Sequence, residues 1–546
     1  MKNREVLRFI SNNIKGCKSK IAILSIAQIL IGALTVAFSF MLKYVISAIK
    51  ESDQDLLLKY IIIISSIALA LIALTIFYRI YYEVSYVDIE NKLKKNLFRT
   101  ILNKDYQEVK KLHDEEWIHR LTSDTAVVAS SILSILPSLC RMVVQLVLAL
   151  AAITYLFLEF GLTLIPFIVL AILLTFFMRK QLKEYHRLTQ EADGKVKVFY
   201  FESLQGLSIV HSFVKEEVFS KKNENNLEVY KKARVKRDTF AVACSISFLV
   251  VYYTFYILAL AFCGFQFFGK TMDIANLTAI VALLTRLTGP LGNITAIVPR
   301  YYSLIASGER LKMESNEDVS YLSKEEIKDY YSNEFKELKL DKVSFSYLDK
   351  YCNKVEVLKD FSLDIKKNQK ILIKGHSGGG KTTLFKIILS LLKPESGEVL
   401  INNQPLEKKY EKLFAYVPQD NLLMQGTIKE VVTLYDHDFD KPLFDESLKI
   451  SESSNFVNNL ALKEETYLNE KGSGLSLGEM ERIAIARAIY SDAPILLLDE
   501  CSASLDAMTE QKVISNILSL KDKTIVLISH HKYDESKFDK VVDLGE

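Results

Sequence analysis

The sequence GHSGGGKT spans residues 375–382 and lies between two stretches of different character. It follows the apolar run 371–373, which is typical of a buried strand, and it precedes residues 383–392, which are typical of a helix. The pattern matches GxxxxGK[ST], in which glycines let consecutive backbone N–H groups surround a phosphate chain at a helix N-terminus. The octapeptide therefore predicts a phosphate-binding loop in an α/β domain. An accidental glycine turn is the alternative for the octapeptide taken alone.

The side chains of this loop predict the contacts of a bound nucleotide. The Lys381 ammonium is expected to reach the β- and γ-phosphates, and the Thr382 hydroxyl is expected to bind Mg²⁺. The expected nucleotide contacts in this region are Gly375, His376, Ser377, Gly378, Gly379, Gly380, Lys381, Thr382 and Thr383.

A second motif supports nucleotide hydrolysis. The apolar run 495–498 predicts a buried strand, and it ends in the carboxylates Asp499 and Glu500. Asp499 is placed to hold Mg²⁺, and Glu500 is placed to polarise the attacking water. From residue 341 onward, short β-rich runs alternate with helical ones, which favours a sheet with helices on its faces. A strand that ends in two acidic residues is common, but after a phosphate-binding loop it predicts a hydrolytic pair.

The first 300 residues contain six apolar stretches near the length of about 20 residues that a helix needs to cross a bilayer. Single arginines interrupt two of them, at Arg141 and Arg286. The chain is expected to divide into a membrane domain at 1–314, a linker at 315–334 and a soluble domain at 335–546. The expected spans are residues 20–47, 57–80, 127–158, 160–179, 239–268 and 272–300.

Basic residues predict the orientation of these spans, because short loops rich in Lys and Arg stay in the cytoplasm. Such residues are concentrated in 79–120 and 179–237, whereas the link at 51–55 is acidic. Both termini are then cytoplasmic, and the two basic segments form long cytoplasmic helical hairpins. The formal net charge of only +3 gives no reason to expect nucleic-acid binding. The six cysteines form no CxxC pair, so neither a disulfide framework nor a zinc site is indicated.

Further motifs in the soluble half resemble those of the ATPase domain of ABC transporters. The sequence LSLGE at 475–479 is similar to the LSGGQ signature of that family, and the run 482–488 is similar to the segment that follows it. The resemblance covers roughly residues 335–546. It implies ATP as the bound nucleotide and assigns adenine stacking to Tyr347, a nucleotide and Mg²⁺ contact to Gln419, a D-loop to Ser504-Leu505-Asp506, γ-phosphate sensing to His530, and nucleotide contacts to Ser476, Gly478 and Glu479.

The membrane half fits the exporter branch of the same family. The implied fold is an all-α, six-helix transmembrane domain followed by an α/β P-loop NTPase domain, with Glu500 and His530 as its catalytic residues. By the same resemblance, the hairpin tips near 105–113 and 199–207 are coupling helices that dock on ATPase domains. Since the first span begins near residue 20 and little follows the last strand, we expect neither an N-terminal peptidase domain nor a C-terminal regulatory domain.

The resemblance also implies a second chain. In the family, ATP lies between the phosphate-binding loop of one ATPase domain and the signature of another, so this half-transporter is expected to dimerise. Leu477 replaces a glycine and Glu479 replaces a glutamine in the signature. A homodimer is the favoured interpretation of these departures, and a heterodimer with one weaker site is the alternative.

The expected function is ATP-driven export of a peptide or an amphipathic compound across a prokaryotic cytoplasmic membrane. A lipid flippase using the same machinery is the first alternative, and an ATP-gated channel or regulatory membrane ATPase is the second. Arg141 and Arg286 could attract an anionic group of the substrate, because ionisable residues inside spans are costly and are often functional. The alternative is that their guanidinium groups extend to lipid headgroups.

Overall fold

The structure is a computed structural model and describes residues 2–112, 114–269, 272–312, 321–348, 353–376, 378–420, 423–436, 438–469, 474–531 and 533–544. The chain folds as two compact units. Unit 1 comprises residues 1–103 and 112–315, and unit 2 comprises residues 104–111 and 316–546. The short segment 104–111 therefore belongs to unit 2, although it lies in the sequence of the helical half.

Unit 1 is helical throughout its described residues. Its helices are α1 (Lys2–Asn13), α2 (Lys18–Glu51), α3 (Gln54–Leu102), α5 (Asp114–His119), α6 (Thr125–Leu156), α7 (Leu158–Gln205), α8 (Leu207–Ser212), α9 (Glu216–Phe268) and α10 (Ile274–Leu311), and a π-helical turn, Arg120–Asp124, joins α5 to α6. The helix α4 (Tyr106–Val109) lies in the segment that belongs to unit 2.

The helices of unit 1 extend well beyond the apolar stretches. The expected spans at 57–80 and 239–268 lie within α3 and α9, which also include long polar arms without a breaker. The break between α6 and α7 falls at Phe157, whose backbone is extended at φ −158°. By length and composition, four stretches of the described residues are long and apolar enough to span a membrane, namely Lys18–Glu51, Gln54–Leu102, Asp114–Leu156 and Glu216–Phe268.

An ion pair between a buried aspartate and a half-buried arginine joins two helical segments of unit 1. Asp124 is 1% exposed, and its two carboxylate oxygens accept hydrogen bonds from Nη2 and Nε of Arg310, at 2.6 and 2.7 Å. Arg120 donates to the carbonyl of Arg310 at 2.9 Å. A bidentate arginine–carboxylate pair fixes both distance and direction. The pair therefore ties the π-helical turn before α6 to the end of α10.

Unit 2 contains two larger sheets and a two-stranded ribbon. Its strands are β1 (Glu337–Leu348), β2 (Lys354–Lys366), β3 (Lys370–Lys374), β4 (Ser396–Ile401), β5 (Gln404–Pro405), β6 (Phe414–Val417), β7 (Gly426–Thr427), β8 (Tyr467–Leu468), β9 (Ile495–Asp499), β10 (Thr524–Ile528) and β11 (Lys540–Asp543). Its remaining helices are α11 (Lys324–Asn333), α12 (Lys381–Ile388), α13 (Ile428–Thr433), α14 (Lys441–Ile450), α15 (Ser454–Asn459), α16 (Leu477–Tyr490) and α17 (Ala507–Leu518).

The five-stranded sheet positions the nucleotide site. Its order is β11-β3-β10-β9-β6, and all neighbouring strands are parallel. Both β9 and β10 are buried along their whole length, as expected for a parallel sheet covered on both faces. Because parallel strands end at the same edge, the segments that follow β3, β6, β9 and β10 meet there. Those segments carry the phosphate-binding loop, Gln419, Glu500 and His530.

The linker expected at 315–334 contains part of the folded unit 2. Residues 324–333 form α11, which begins with a capping box in which Ser323 and Glu326 bond reciprocally. Ile327 and Tyr331 of this helix are buried in the core beneath β1 and β3. The acidic, Ser- and Tyr-containing sequence of this segment is typical of a connector. Its two apolar positions lie one helical turn apart, however, which indicates a helix that packs one face against the core. Residues 313–320 lie outside the described residues.

Candidate nucleotide site

The backbone between β3 and α12 has the shape of a phosphate-binding loop. Gly375, Gly378 and Gly380 have φ values of 147°, 84° and 86°, which side chains rarely permit. A Cβ at Gly380 would lie 2.9 Å from the carbonyl oxygen of Val357, so glycine is required there. Ser377, an expected contact, lies outside the described residues. The loop leads directly into α12, whose N-terminus favours a negative charge.

Lys381 is directed back into this loop. Its side chain is 5% exposed, and Nζ donates to the carbonyls of Gly375 and His376, each at 3.0 Å. Nζ also lies 3.1 Å from Nε2 of His530. The ammonium therefore sits at the centre of the loop that the sequence predicts to surround phosphate. Phosphate oxygens can take the place of the two carbonyl acceptors.

Glu500 is the centre of a polar cluster at the carboxyl edge of the sheet. Its carboxylate lies 2.7 Å from Nε2 of His530, accepts a hydrogen bond from Nε2 of Gln419 at 2.9 Å, and lies 3.9 Å from Nζ of Lys381. The backbone of Glu500 has φ 49°, a left-handed conformation that is uncommon for residues other than glycine. Four residues from four separate segments thus converge at this edge of the sheet.

Asp499 has the environment of a cation ligand. It is 1% exposed; its Oδ2 accepts from Tyr416 at 3.3 Å, and its Oδ1 is buried without a hydrogen-bond partner among the described residues. Burial raises the pKa of this carboxyl, and a hydrogen bond from the Thr382 side chain opposes that rise. An unsatisfied buried carboxylate oxygen beside a threonine hydroxyl fits Mg²⁺, which prefers oxygen ligands. Thr382 and Asp499 are therefore together, whereas Gln419 contacts Glu500.

Tyr347 lies beside the same helix. Its hydroxyl is 3.2 Å from the Thr383 hydroxyl, and its ring is 41% exposed. The ring packs edge-on against Phe345, with centroids 5.0 Å apart. An exposed aromatic face next to the phosphate-binding loop is available for stacking on a base.

The signature segment 475–479 forms the beginning of α16. Ser476 is the N-cap, and its backbone N–H and hydroxyl both donate to Oε2 of Glu479, at 2.8 and 2.9 Å. A Cβ at Gly478 would lie 3.2 Å from the carbonyl oxygen of Ser504, which places the signature against the D-loop. Within the described residues, no recorded contact joins Ser476, Gly478 or Glu479 to the phosphate-binding loop. The expected nucleotide contacts thus form two separate groups.

Two buried glutamates near the site were not predicted from the sequence. Glu481 is 4% exposed and accepts the Ser504 N–H at 3.0 Å with one oxygen and 3.1 Å with the other. Glu510 accepts from Ser502 at 2.9 Å and lies 2.7 Å from Nδ1 of His531. The sequence signal that could have identified both glutamates is an acidic residue on the otherwise apolar face of a predicted helix. These contacts fix the segments that follow Glu500 and His530.

The two arginines predicted inside the spans have different environments. Arg286 donates from Nε to the hydroxyl of Ser39 at 2.8 Å, and Ser39 is fully buried. Arg286 is therefore hydrogen-bonded to α2. Arg141 packs beside Gly32 of α2, and its guanidinium is close enough to the Tyr78 hydroxyl to interact electrostatically with it.

Family models match both halves of the chain. A model described as ABC transporter matches residues 358–503, and one described as ABC transporter transmembrane region matches residues 21–291. The residue ranges correspond to the nucleotide-binding unit and to the helical unit.

Several relatives of known sequence are bacterial transport proteins. The lactococcin-G-processing and transport ATP-binding protein LagD of Lactococcus lactis is 29% identical over 368 residues, which are 65% of this chain and 50% of that protein. An export ATP-binding/permease protein of Rickettsia bellii is 28% identical over 495 residues, with 85% of this chain and 81% of that protein covered. This chain spans about half the length of the lactococcin G and pediocin PA-1 relatives.

A solved structure shares the fold. The structure of a bacterial Atm1-family ABC exporter with ATP bound matches with a TM-score of 0.83 and 20% sequence identity, covering 96% of this chain and 94% of that chain.

Proposed function

We propose that this chain, which belongs to the ABC transporter family and joins an exporter-type transmembrane region to an ABC ATPase domain, exports a peptide or another amphipathic compound as a dimer. It is an ATPase coupled to transport, in a multi-pass membrane protein. The observation that carries the proposal is the convergence of Lys381, Gln419, Glu500 and His530 at one edge of the parallel sheet.

The geometry supports hydrolysis by positioning and electrostatics, which dominate phosphoryl transfer. Lys381 and the N-terminus of α12 hold the phosphates of ATP and neutralise their charge. Glu500 accepts a hydrogen bond from the attacking water and orients it toward the γ-phosphate. Gln419 and His530 hold the Glu500 carboxylate, and His530 is also near enough to Lys381 to contact the γ-phosphate.

Mg²⁺ is proposed as the cation of this site. Thr382 and Asp499 would hold it, with Gln419 as a further candidate ligand from the sequence. Bound Mg²⁺ supplies charge neutralisation of the phosphates. The unsatisfied Oδ1 of Asp499 is the observation that supports this assignment.

The dimer is proposed because a single chain lacks a complete site. The signature residues Ser476 and Gly478 have no recorded contact with the phosphate-binding loop among the described residues. In a dimer of this family, each nucleotide lies between one chain's loop and the other chain's signature. ATP binding then draws the two ATPase domains together, and hydrolysis releases them, which is the kind of switch that opens a transporter to alternate sides. We favour a homodimer, because Ser476 and Gly478 are retained.

The substrate class rests on the relatives. Three of them are named as transport and processing proteins: those of lactococcin G, of pediocin PA-1, and ComA of Streptococcus pneumoniae. The distribution of Lys and Arg supports a cytoplasmic ATPase unit and export from the cytoplasm. A lipid flippase uses the same machinery and gives a distinct result in the test below.

The test is transport by inside-out membrane vesicles that contain the full chain. A fluorescent, hydrophobic 20-residue peptide and a fluorescent phosphatidylglycerol are supplied outside with ATP and Mg²⁺. We expect ATP-dependent accumulation of the peptide by the wild type and none by Glu500→Gln. If the lipid moves and the peptide does not, peptide export is wrong and the protein is a lipid flippase. If neither moves although ATP is hydrolysed, the proposed substrate class is wrong.

A further inference from the structure

A cavity of about 570 Å³ lies in unit 1 between three membrane helices. Its polar lining comes from Tyr78, Arg79, Tyr82 and Glu83 of α3, from Ser134 and Ser138 of α6, and from Arg300 of α10. The hydroxyl and guanidinium groups of these side chains are hydrogen-bond donors. The cavity is therefore rich in donors that can bind an anion.

The cations of this cavity have no recorded acceptor. Arg79 and Arg300 are exposed, and no hydrogen bond or ion pair is recorded for either within the described part of the chain. Arg300 is close enough to Tyr82 for an electrostatic interaction. The acidic lining residue is Glu83, for which no ion pair is recorded either. The positive charge is thus only partly balanced.

Arg141 adds a third guanidinium near one end of the cavity. It interacts electrostatically with Tyr78, whose ring centroid lies 6.1 Å from that of Tyr82. Arg141 follows Ser138 by three positions on α6, so the two share a helix face. The tyrosine pair therefore has Arg141 near one ring and Arg300 near the other.

Helix lengths place these groups at the inner side of the membrane in the proposed orientation. Arg79 follows the start of α3 by about 37 Å, and Arg300 follows the start of α10 by about 39 Å, at 1.5 Å per residue. Both distances exceed the hydrocarbon thickness of about 30 Å, and Arg141 lies about 22 Å from the outer end of α6. The cavity thus extends from the inner headgroup level into the inner leaflet.

Arg286 provides a contrast within the same unit. Its guanidinium already donates to a buried serine hydroxyl. An ion at Arg286 would have to compete with that bond, whereas Arg79 and Arg300 have no recorded bond to give up.

We propose that this cavity binds the anionic group, a phosphate or a carboxylate, of an amphipathic compound, with Arg79 and Arg300 as its direct ligands and Arg141 as a nearby cation. The inference deepens the proposed function and rests on it for the role of the bound compound as substrate. The alkyl part would remain in the adjacent hydrocarbon, since α3 exposes Ile72, Ile76 and Ile80 near this level.

The test is equilibrium binding to the full chain in phosphatidylcholine nanodiscs without ATP. The radiolabelled probes are dodecyl phosphate, N-dodecanoylglycine and the neutral dodecyl maltoside. We expect saturable binding of the two anionic probes to the wild type. The double variant Arg79→Gln/Arg300→Gln should bind them at least about tenfold more weakly, because it removes two guanidinium groups that donate charge-assisted hydrogen bonds to the anion.

The matched control is Arg286→Gln, which removes a guanidinium from the same unit and should leave both affinities unchanged. Each variant is checked for its melting temperature and for ATP binding, so a misfolded protein is recognised. Competition by phosphatidylglycerol indicates a lipid source of the anion, and preference for the carboxylate probe indicates a peptide-like source. Either result supports the anion site.

Equal binding of the neutral and anionic probes would overturn the inference, and so would an equal loss in Arg286→Gln or no loss in the double variant. The binding measurement is independent of transport. If anionic probes bind but no substrate moves in vesicles, the site stands and the proposed function fails. If substrate moves but the double variant binds probes as the wild type does, the function stands and the site fails.

Discussion

At the scale of single residues, Glu479 carries a carboxylate at the N-terminus of α16, where the γ-phosphate of the partner's nucleotide is expected to bind. Its Oε2 accepts both the N–H and the hydroxyl of Ser476. A negative charge opposes phosphate binding at this helix end, and it also occupies the donors that the phosphate requires. We expect Glu479→Gln to lower the KM for ATP hydrolysis about two- to fivefold, from a charge effect of about 0.5–1 kcal/mol.

The control for this prediction is Glu326→Gln. Glu326 forms the same capping box with Ser323 at the start of α11, where Ser323 N donates to it at 2.7 Å. This change should alter the KM for ATP no more than experimental error. A raised KM in Glu479→Gln would mean that the carboxylate helps the dimer to close.

Single residues also show where sequence analysis succeeds. The sequence predicts the loop at 375–382 and the pair Asp499 and Glu500, because their chemistry requires particular residue types at fixed positions along the chain. The partners of Arg286 and Asp499 were not, since Ser39 and Tyr416 are distant in sequence and carry no motif. Chemistry that depends on spacing along the chain is readable, and chemistry that depends on tertiary packing is not.

At the scale of elements, the segment 104–111 folds with the ATPase unit. Asp105 accepts from Nζ of Lys408 at 2.6 Å and from Nζ of Lys393 at 3.3 Å. The adjacent Tyr106 lies in the neighbourhood of Tyr416, whose hydroxyl donates to Asp499. The segment expected to be a coupling helix is thus connected, through one tyrosine, to the proposed Mg²⁺ ligand.

Removing the charge of Asp105 should loosen this segment. We expect Asp105→Asn to accelerate amide hydrogen exchange in 106–110 and to reduce transport per ATP hydrolysed. Glu108→Gln is the control, because the ion pair that Glu108 forms among the described residues is with Lys104, inside the same segment. The hydrogen bond from Lys408, together with the one from Lys393, lowers the pKa of Asp105 below its ordinary 3.8. The ionised Asp105 carboxylate therefore contributes its full stabilisation of this segment above pH 3.8. That stabilisation is lost as the pH falls through the lowered pKa of Asp105. Unchanged exchange in Asp105→Asn would contradict this attachment.

The junction of the π-helical turn and α10 depends on Asp124. We expect Asp124→Asn to destabilise the protein by about 1–3 kcal/mol, the range for hydrogen bonds to charged groups, and to lower its melting temperature in nanodiscs. Asp193→Asn removes an exposed pair with Lys197 and should cost less than about 0.5 kcal/mol. Equal melting temperatures for the two variants would show that the buried pair contributes little.

Helices and strands are predictable from the sequence where the hydrophobic residues follow a single clear pattern. The apolar stretches indicated the spans, but the helices run on into polar arms, because no Gly or Pro ends them. The sequence predicts a linker where the structure has the docked helix α11, because two apolar positions in an acidic segment give only a weak helical pattern.

At the scale of the whole molecule, we propose that two copies of this chain form the ATP-driven transporter. The phosphate-binding loop and the signature of one chain belong to two separate groups of contacts. The site around Glu500 is fully assembled, with Gln419 and His530 in place. In the proposed homodimer, the second copy would supply its signature to this loop.

The most direct measurement is ATP hydrolysis by the purified chain alone in lipid nanodiscs, beside Glu500→Gln, with ATP binding measured in both. From the proposed homodimer, we predict that the wild type hydrolyses ATP without any other protein. Glu500→Gln should bind ATP normally and hydrolyse it at least about 100-fold more slowly, the lower range for the loss of a positioned base. If the wild type binds ATP but does not hydrolyse it until a different chain is added, the homodimer is wrong. If Glu500→Gln hydrolyses ATP at the wild-type rate, the assignment of the catalytic site is wrong.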